Sequence, residues 1–536
     1  MLGGKLMNIE LKEKLEKFYD EQVWPHMTLG EFIEDCAKKY GDKIALVDGD
    51  VELSYQELNR KACQYANGLL KAGFKKGDKI VLQLPNCHEF VIILFAMFKI
   101  GIVPVLSLPA HRKNEIKGIL EKSGAKAYIS KDKYLGFSYV NMIKEVKEEL
   151  DIDFEVYILG EEQEYKNFYD INDKDYLYQC INGDYKELAL LMLSSGTTGN
   201  PKMIPMKHCE LICSAKSIGD VLNYSDSTVY LMALSLSHKF VLSYPGIIGV
   251  FYYGAKCVIS MTSSPDDIIY NIEKYNINTM ALVPALASLC IDFLKFEKVD
   301  ISSLKIIQVG GAVLEYSKAF EIEKTFGCVI SQLYGMTEGL VMCTRFGDSR
   351  ETRLNTQGKP VSIGDCVKIV DEFGEEVNIG DYGELLIRGP YTMYEYYDEM
   401  NNTHNPILDK ELYLRTGDRA RELLDGNYQI AGRIKEMIIK GGEKIVPFEL
   451  ENILLESENL SEVQVVGIPD EILGEKICVF ILEKDKNLKF SEIIQTLKEA
   501  SIAEFKIPDC MKIVDNWPLT ATGKIDRRKL IENYDN

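Results

Sequence analysis

The sequence lacks an excess of basic charge, a CxxC cysteine pair, an apolar amino-terminal segment, an unbroken apolar run of membrane length, and any internal repeat or low-complexity tract. Each absence removes a class of function. With 82 acidic against 62 basic side chains and a formal charge of −20, the chain opposes both the counterion release that drives nucleic-acid binding and attraction to anionic lipid. Neither nucleic acid nor a membrane is an expected partner. Thirteen cysteines, an odd number scattered from Cys36 to Cys510, read as reduced thiols rather than a disulfide framework, and no metal is assigned to them. Met1 to Asp20 is charged along its length, so no secretory signal is read there and a cytoplasmic location is expected. The most apolar stretch, Phe90 to Pro109, is interrupted by Lys99, Gly101 and Pro104 and reads as a buried helix followed by a strand.

What is present points to an α/β chain. Its 536 residues exceed what one core serves and predict two or three packed units. Ser54-Tyr-Gln-Glu57 is a capping box, and Leu58, Ala62, Tyr65, Ala66, Leu69 and Leu70 form a helical stripe that Gly73 closes. The run Lys79 to Leu84 reads as a strand, as do Ala255–Ser260, Thr279–Val283, Lys305–Val309 and Cys328–Ser331, alternating with helices as in helix-covered sheets. Beyond about Tyr382 short strands bounded by turns replace this rhythm. Strands over Glu462–Gly467 and Lys476–Leu482, with a helix over Ser491–Ala500, then predict a compact α+β unit. The expected division is a large amino-terminal region, 1–432, with a β-rich subdomain at about 345–432, and a small carboxyl-terminal region, 433–536.

One loop carries the clearest chemistry. In Leu193-Ser-Ser-Gly-Thr-Thr-Gly-Asn-Pro-Lys202, Gly196 and Gly199 let backbone amides approach an anion. Ser194, Ser195, Thr197 and Thr198 add hydroxyl donors there, and Lys202 adds a cation. The spacing is not that of a Walker P-loop, and alone the loop reads equally as a polar turn. Two strands run into further loops, Gly310-Gly311-Ala312 and Tyr334-Gly335-Met336-Thr337-Glu338, where ligands gather in such sheets.

Together with LYGMTEG (Leu333–Gly339), YLRTGD (Tyr413–Asp418), GRIKEMIIKGGEKI (Gly432–Ile445) and PLTATGKIDRRKL (Pro518–Leu530), this loop resembles the adenylate-forming enzymes over nearly the whole chain. Within that superfamily the sequence is most similar to stand-alone aryl-acid ligases of siderophore synthesis, of the 2,3-dihydroxybenzoate:AMP ligase type. The resemblance implies ATP and Mg2+, a carboxylic acid activated to an acyl-adenylate, and transfer to the phosphopantetheine thiol of a carrier protein. No carrier domain follows Lys524, so the carrier is expected to act in trans. Coenzyme A as acceptor, and a catalytically silent nucleotide-binding regulator, are the alternatives. The resemblance also implies roles. Lys524 would touch the carboxylate and α-phosphate, Thr337 would lie near the same phosphate, and Glu338 would hold the metal. Asp418 and Arg433 would meet the ribose, Gly310, Gly311, Ala312, Tyr334 and Gly335 the adenine side, and Lys435 would be the hinge of a mobile carboxyl-terminal domain.

For the acid, the resemblance implies His238, Lys239, Tyr244, Gly335, Met336 and Val341, with His238 as a gate beside the reacting groups. Two of these depart from the pattern. Dihydroxybenzoate ligases carry an asparagine where Lys239 stands and a serine or cysteine where Tyr244 stands, so a smaller or differently substituted acid is expected. Lys239 either offers an ammonium to the acid or turns outward to solvent; both readings stand open.

Overall fold

The computed structural model describes residues 2–161, 164–173, 175, 183–194, 202–398, 408–456, 460, 462–470, 472–482, 488–500, 502–520 and 523–534. Local signals set the first elements. The Ser54 hydroxyl accepts from the Glu57 amide at 3.2 Å while the Glu57 carboxylate accepts from the Ser54 amide at 2.9 Å, starting the helix Tyr55–Lys71. Leu58, Ala62, Ala66 and Leu69 are buried along its inner face, and Gly73 turns the chain away at φ +97°. Thr28 and Glu31 repeat the device ahead of Leu29–Tyr40.

Among the described residues, nine strands form one sheet in the spatial order Lys359–Pro360, Gly339–Cys343, Val329–Met336, Ile306–Gly310, Thr279–Leu282, Val229–Met232, Lys256–Ile259, Ile44–Asp48, Val51–Ser54. A second sheet has seven, in the order Met203–Lys207, Leu188–Leu193, Val103–Leu106, Lys79–Gln83, Ala127–Lys131, Glu155–Leu159, Lys166–Asn167. Central pairings are parallel, which requires helices on the faces and gives strands that are apolar along their length. The helix His88–Lys99 packs on Ile44–Asp48 of one sheet and Val103–Leu106 of the other, so it is apolar all round. Its last residue, Lys99, is 1% exposed, and its ammonium reaches Glu34 at 2.9 Å. The break in the apolar run is thus a buried ion pair. No helix among the described residues is long and apolar enough to cross a membrane.

One prediction changes in a way that matters for the site. The strand expected to stop at Ser331 continues to Met336 and folds back on Gly339–Cys343 as an antiparallel hairpin, pairing Tyr334 with Met342 and Gly335 with Val341. The Tyr334–Glu338 segment is therefore held by a sheet edge. Four antiparallel strands, Cys366–Val370, Gly383–Arg388, Leu414–Glu422 and Tyr428–Arg433, make the β-rich unit.

The carboxyl-terminal region has its own sheet and core. Strands Val463–Asp470 and Gly474–Leu482 pair along their lengths, Cys510–Val514 joins in parallel, and Leu450, Leu454, Val465, Val479, Ile493 and Leu497 close the core with helices Pro447–Leu455 and Phe490–Glu499. Glu451, 1% exposed, accepts from the Val465 amide at 2.7 Å and from Arg527 at 2.7 and 3.0 Å. Trp517 donates its indole N–H to Glu462.

Phe95 is fully buried in the large core, with ring centroids 5.9 Å from both Phe98 and Phe251. Phe95→Ala should lower the unfolding free energy of the amino-terminal region by about 3–5 kcal/mol, read from its transition in urea.

Candidate functional site

The glycine- and hydroxyl-rich loop is a hairpin connection. Leu188–Leu193 and Met203–Lys207 run antiparallel on either side of it, and the Ser194 amide donates to the Lys202 carbonyl at 3.0 Å to close its base. Ser195, Gly196, Thr197, Thr198 and Gly199 lie outside the described residues. The Lys202 ammonium sits 4.6 Å from the centroid of the Tyr396 ring.

The Tyr334–Glu338 hairpin, the Gly310–Ala312 turn, the strand Leu414–Glu422 and a turn from the carboxyl-terminal region converge. Thr520 and Lys524 are joined by a backbone bond of 2.7 Å across Gly523, whose φ of +78° favours glycine. That turn carries Lys524 into the cleft, and a Cβ built on Gly311 would stand 3.7 Å from Lys524 Cε. A side chain longer than alanine at Gly311 would meet the lysine. Gly310 is tighter still, since its Cβ would stand 2.6 Å from the Leu333 carbonyl oxygen. Ala312 is exposed at the same turn.

Asp418 is 5% exposed and doubly held, accepting from the Tyr334 hydroxyl at 2.6 Å and pairing with Arg433 Nε at 2.8 Å. Burial raises its carboxyl above the usual range while Arg433 opposes the rise. Lys524 is lowered by burial first and then by the Arg433 charge, with Asp418, Glu338 and Glu436 offsetting both. Two cations thus share a site because three carboxylates surround them. Glu338 accepts from the Tyr396 hydroxyl at 3.5 Å, and its carbonyl accepts from the Met393 amide at 2.8 Å. Lys435 is exposed on the short turn Ile434–Glu436 that follows Arg433.

His238 caps the helix Lys239–Ser243, its Nδ1 lying 3.3 Å from the Phe240 amide. Lys239 does not turn to solvent: it is 1% exposed and donates to the Thr337 carbonyl at 3.1 Å. Its ammonium lies 4.8 Å from the Tyr244 ring centroid and 5.9 Å from that of Tyr391. Burial pushes Lys239 down to about 7, opposed by the charges of Glu210, Glu338 and Asp365. It pushes Asp365 up to about 7, opposed by hydrogen bonds from Tyr391 and the Ser362 and Val361 backbone and then by the Lys239 charge. Desolvation outweighs attraction for both. Tyr244 packs against Gly335, where a Cβ would stand 3.1 Å from its ring, and its hydroxyl donates to the Met336 carbonyl at 3.2 Å. Val341, opposite Gly335 in the hairpin, is fully buried behind them.

The structure therefore brings Gly310, Gly311, Tyr334, Glu338, Asp418, Arg433 and Lys524 to one cleft, with His238 near enough for the Lys524 charge to act on it. Sequence reasoning missed Tyr396, Asp365 and Glu436. The tyrosine cluster Tyr391-Thr-Met-Tyr-Glu-Tyr-Tyr397 was the available signal, since aromatic density outside a periodic element asks for a packing partner.

Comparison with known proteins supplies the context for this geometry. The AMP-binding enzyme family matches residues 33–397, and the AMP-binding enzyme C-terminal domain matches residues 449–524. The chain is 38% identical over 520 residues to 2,3-dihydroxybenzoate-AMP ligase of Bacillus subtilis (strain 168), covering 97% of this chain and 96% of that protein. It is 34% identical over 519 residues to the salicyl-AMP ligase / salicyl-S-ArCP synthetase of Mycobacterium tuberculosis (strain ATCC 25618 / H37Rv), covering 95% and 91%. The apo structure of Mycobacterium smegmatis MbtA superposes with a TM-score of 0.74 at 33% identity, covering 97% of this chain and 98% of that one.

Burial and the Lys524 charge push His238 down to about 4. Between that value and the ordinary 6.5, the unfolded chain binds the proton and the folded chain does not, so this residue's contribution to stability falls as pH drops through the window. A ring-carbon NMR titration should find His238 neutral from pH 8 down to 5, and Lys524→Met should move its midpoint upward. A His238 midpoint at 6.5 in the unaltered chain would contradict the geometry.

Proposed function

The chain belongs to the AMP-binding enzyme family, and from that premise we propose that it is an aryl-acid:AMP ligase. In the first step a carboxylate oxygen attacks the α-phosphorus of ATP, the bond to the bridging oxygen breaks, and pyrophosphate leaves. In the second, a phosphopantetheine thiol of a separate carrier protein attacks the acyl carbon, its proton is lost, and AMP leaves. The observation that carries this reading is Lys524, reached from the carboxyl-terminal turn and set beside Gly311, Arg433, Asp418 and Glu338.

The chemistry requires a cation between two anions, and Lys524 answers that requirement. Its lowered proton affinity reflects a poorly hydrated ammonium, whose attraction to a carboxylate and an α-phosphate is less screened than in water. Asp418, held by Tyr334 and Arg433, is oriented to accept from a ribose diol. Thr337 would add a hydroxyl near the α-phosphate, and the loop from Ser194 to Lys202 would hold the outer phosphates. Glu338 fits a magnesium ligand by the hardness of its carboxylate, whose Oε1 is the oxygen that Tyr396 contacts. Bound there, the ion would offset negative charge on phosphate oxygens. In the second step a thiol must reach the place Lys524 occupies, so the carboxyl-terminal domain would swing about Lys435.

The names of the relatives support an aryl acid, 2,3-dihydroxybenzoate-like in its class. The ring end of the acid site differs from that expectation, because Tyr244 fills the space against Gly335 and the Lys239 ammonium lies over its face. Both changes favour an acid that is shorter at this end, or one carrying a group that accepts from an ammonium.

ATP–pyrophosphate exchange across benzoates, hydroxybenzoates, picolinates and aliphatic acids should give turnover with an aryl acid. Exchange with none of the aryl acids would refute the assignment. Lys524→Ala should lower the exchange rate by a few hundredfold, about 3–4 kcal/mol, with the Kd for ATP nearly unchanged. Tyr244→Ser should raise kcat/KM for 2,3-dihydroxybenzoate by about tenfold, the scale of one removed steric conflict in a pocket. Holo-carrier should consume the adenylate faster than coenzyme A does; the reverse order would make the enzyme an acyl-CoA synthetase.

A further inference from the structure

A short strap, Pro390 to Tyr397, crosses between the two sides of the cleft and is pinned at three points. At its start the Pro390 carbonyl accepts from the Trp24 indole at 2.7 Å. In the middle the Met393 amide donates to the Glu338 carbonyl at 2.8 Å. At its end the Tyr397 amide donates to the Met203 carbonyl at 2.8 Å, on the strand that leaves the glycine-rich loop. The middle contact depends on Gly339, since a Cβ there would stand 2.6 Å from Thr392 Cα. The strap therefore ties the loop's exit strand to the hairpin that carries Glu338.

Tyr396 projects from this strap into the gap between them. Its ring centroid is 4.6 Å from the Lys202 ammonium, and its hydroxyl is 3.5 Å from Glu338 Oε1. A lysine and a glutamate facing the same space would otherwise close on each other, each neutralising the charge that a polyphosphate and its metal ion need. An aromatic ring between them prevents that. Its face attracts the ammonium through the ring quadrupole, and its hydroxyl engages one of the two carboxylate oxygens.

We propose that Tyr396 is a positioning residue that holds Lys202 and Glu338 apart and turned toward the same ligand, and so sets affinity for the outer phosphates and their metal ion. The proposal rests on the adenylating role above, but it concerns binding and is testable without the acid.

Calorimetric titration of the full chain and of Tyr396→Phe and Tyr396→Ala, with ATP plus MgCl2 and separately with AMP, separates the possibilities. Tyr396→Ala should raise the Kd for ATP with magnesium by roughly fivefold to thirtyfold, the scale of a partly desolvated cation–π contact and a hydrogen bond to a carboxylate. Its Kd for AMP, which lacks the outer phosphates, should stay within about twofold of the unaltered chain. Tyr396→Phe keeps the ring and should retain ATP affinity while requiring about threefold more MgCl2 for half-saturation, as expected for one lost hydrogen bond. Equal weakening of ATP and AMP would make Tyr396 a general support of the fold and overturn the proposal, as would unchanged ATP affinity in Tyr396→Ala. If no acid supports exchange in the unaltered chain, the ligase reading fails, while these titrations still decide the role of Tyr396.

Discussion

Two cations, Lys524 and Arg433, lie close enough to repel each other, and the carboxylates around them offset that repulsion. Desolvation and mutual repulsion both act to strip the proton from the lysine, and Asp418, Glu338 and Glu436 counter them. Those three carboxylates come from a β-rich strand, from the return of a sheet-edge hairpin and from the turn after Arg433. The lysine itself comes from a glycine-bearing turn of a region with a separate core. A site assembled from four such sources is intact only while the carboxyl-terminal region is docked. Withdrawal of the lysine would leave Asp418 still held by Arg433 and Tyr334.

Much of this was legible where the physical cause is local. A capping box needs only Ser54 and Glu57, three residues apart, and the helix it starts is the one expected. Parallel strands buried on both faces announce themselves as apolar runs, and the loops at their ends were found for that reason. Partners remote in the chain were not legible. Lys99 reads as an interruption until Glu34, 65 residues away, is seen beside it. The extension of a strand from Ser331 to Met336 depends on hydrogen bonds offered by Gly339–Cys343, and nothing in the strand itself foretells them. Tyr396 was missed for the same reason, since its two neighbours belong to Lys202 and Glu338 and its own segment has no periodicity.

Lys239 shows how burial redefines a residue. In the sequence it is a charge adjoining an apolar stretch, free to face either way. In the fold it is sealed beneath Tyr244 and Tyr391, bonded to the Thr337 carbonyl, with Glu210, Glu338 and Asp365 opposing the loss of its charge that burial favours. A buried lysine of this kind is stable only with such company, so Lys239, Asp365, Tyr391 and Tyr244 form a unit. Removing the lysine alone would leave Asp365 buried without that opposing charge.

The chain contains two tryptophans, and the fold gives one to each region. Trp24 is sealed against the Pro390 carbonyl in the large region, and Trp517 bonds Glu462 in the small one. The molecule consequently carries two built-in optical labels in different surroundings, one dry and one partly buried beside a carboxylate. A single substitution silences either label, so any displacement of one region from the other would show as a change of emission colour, without attaching a dye.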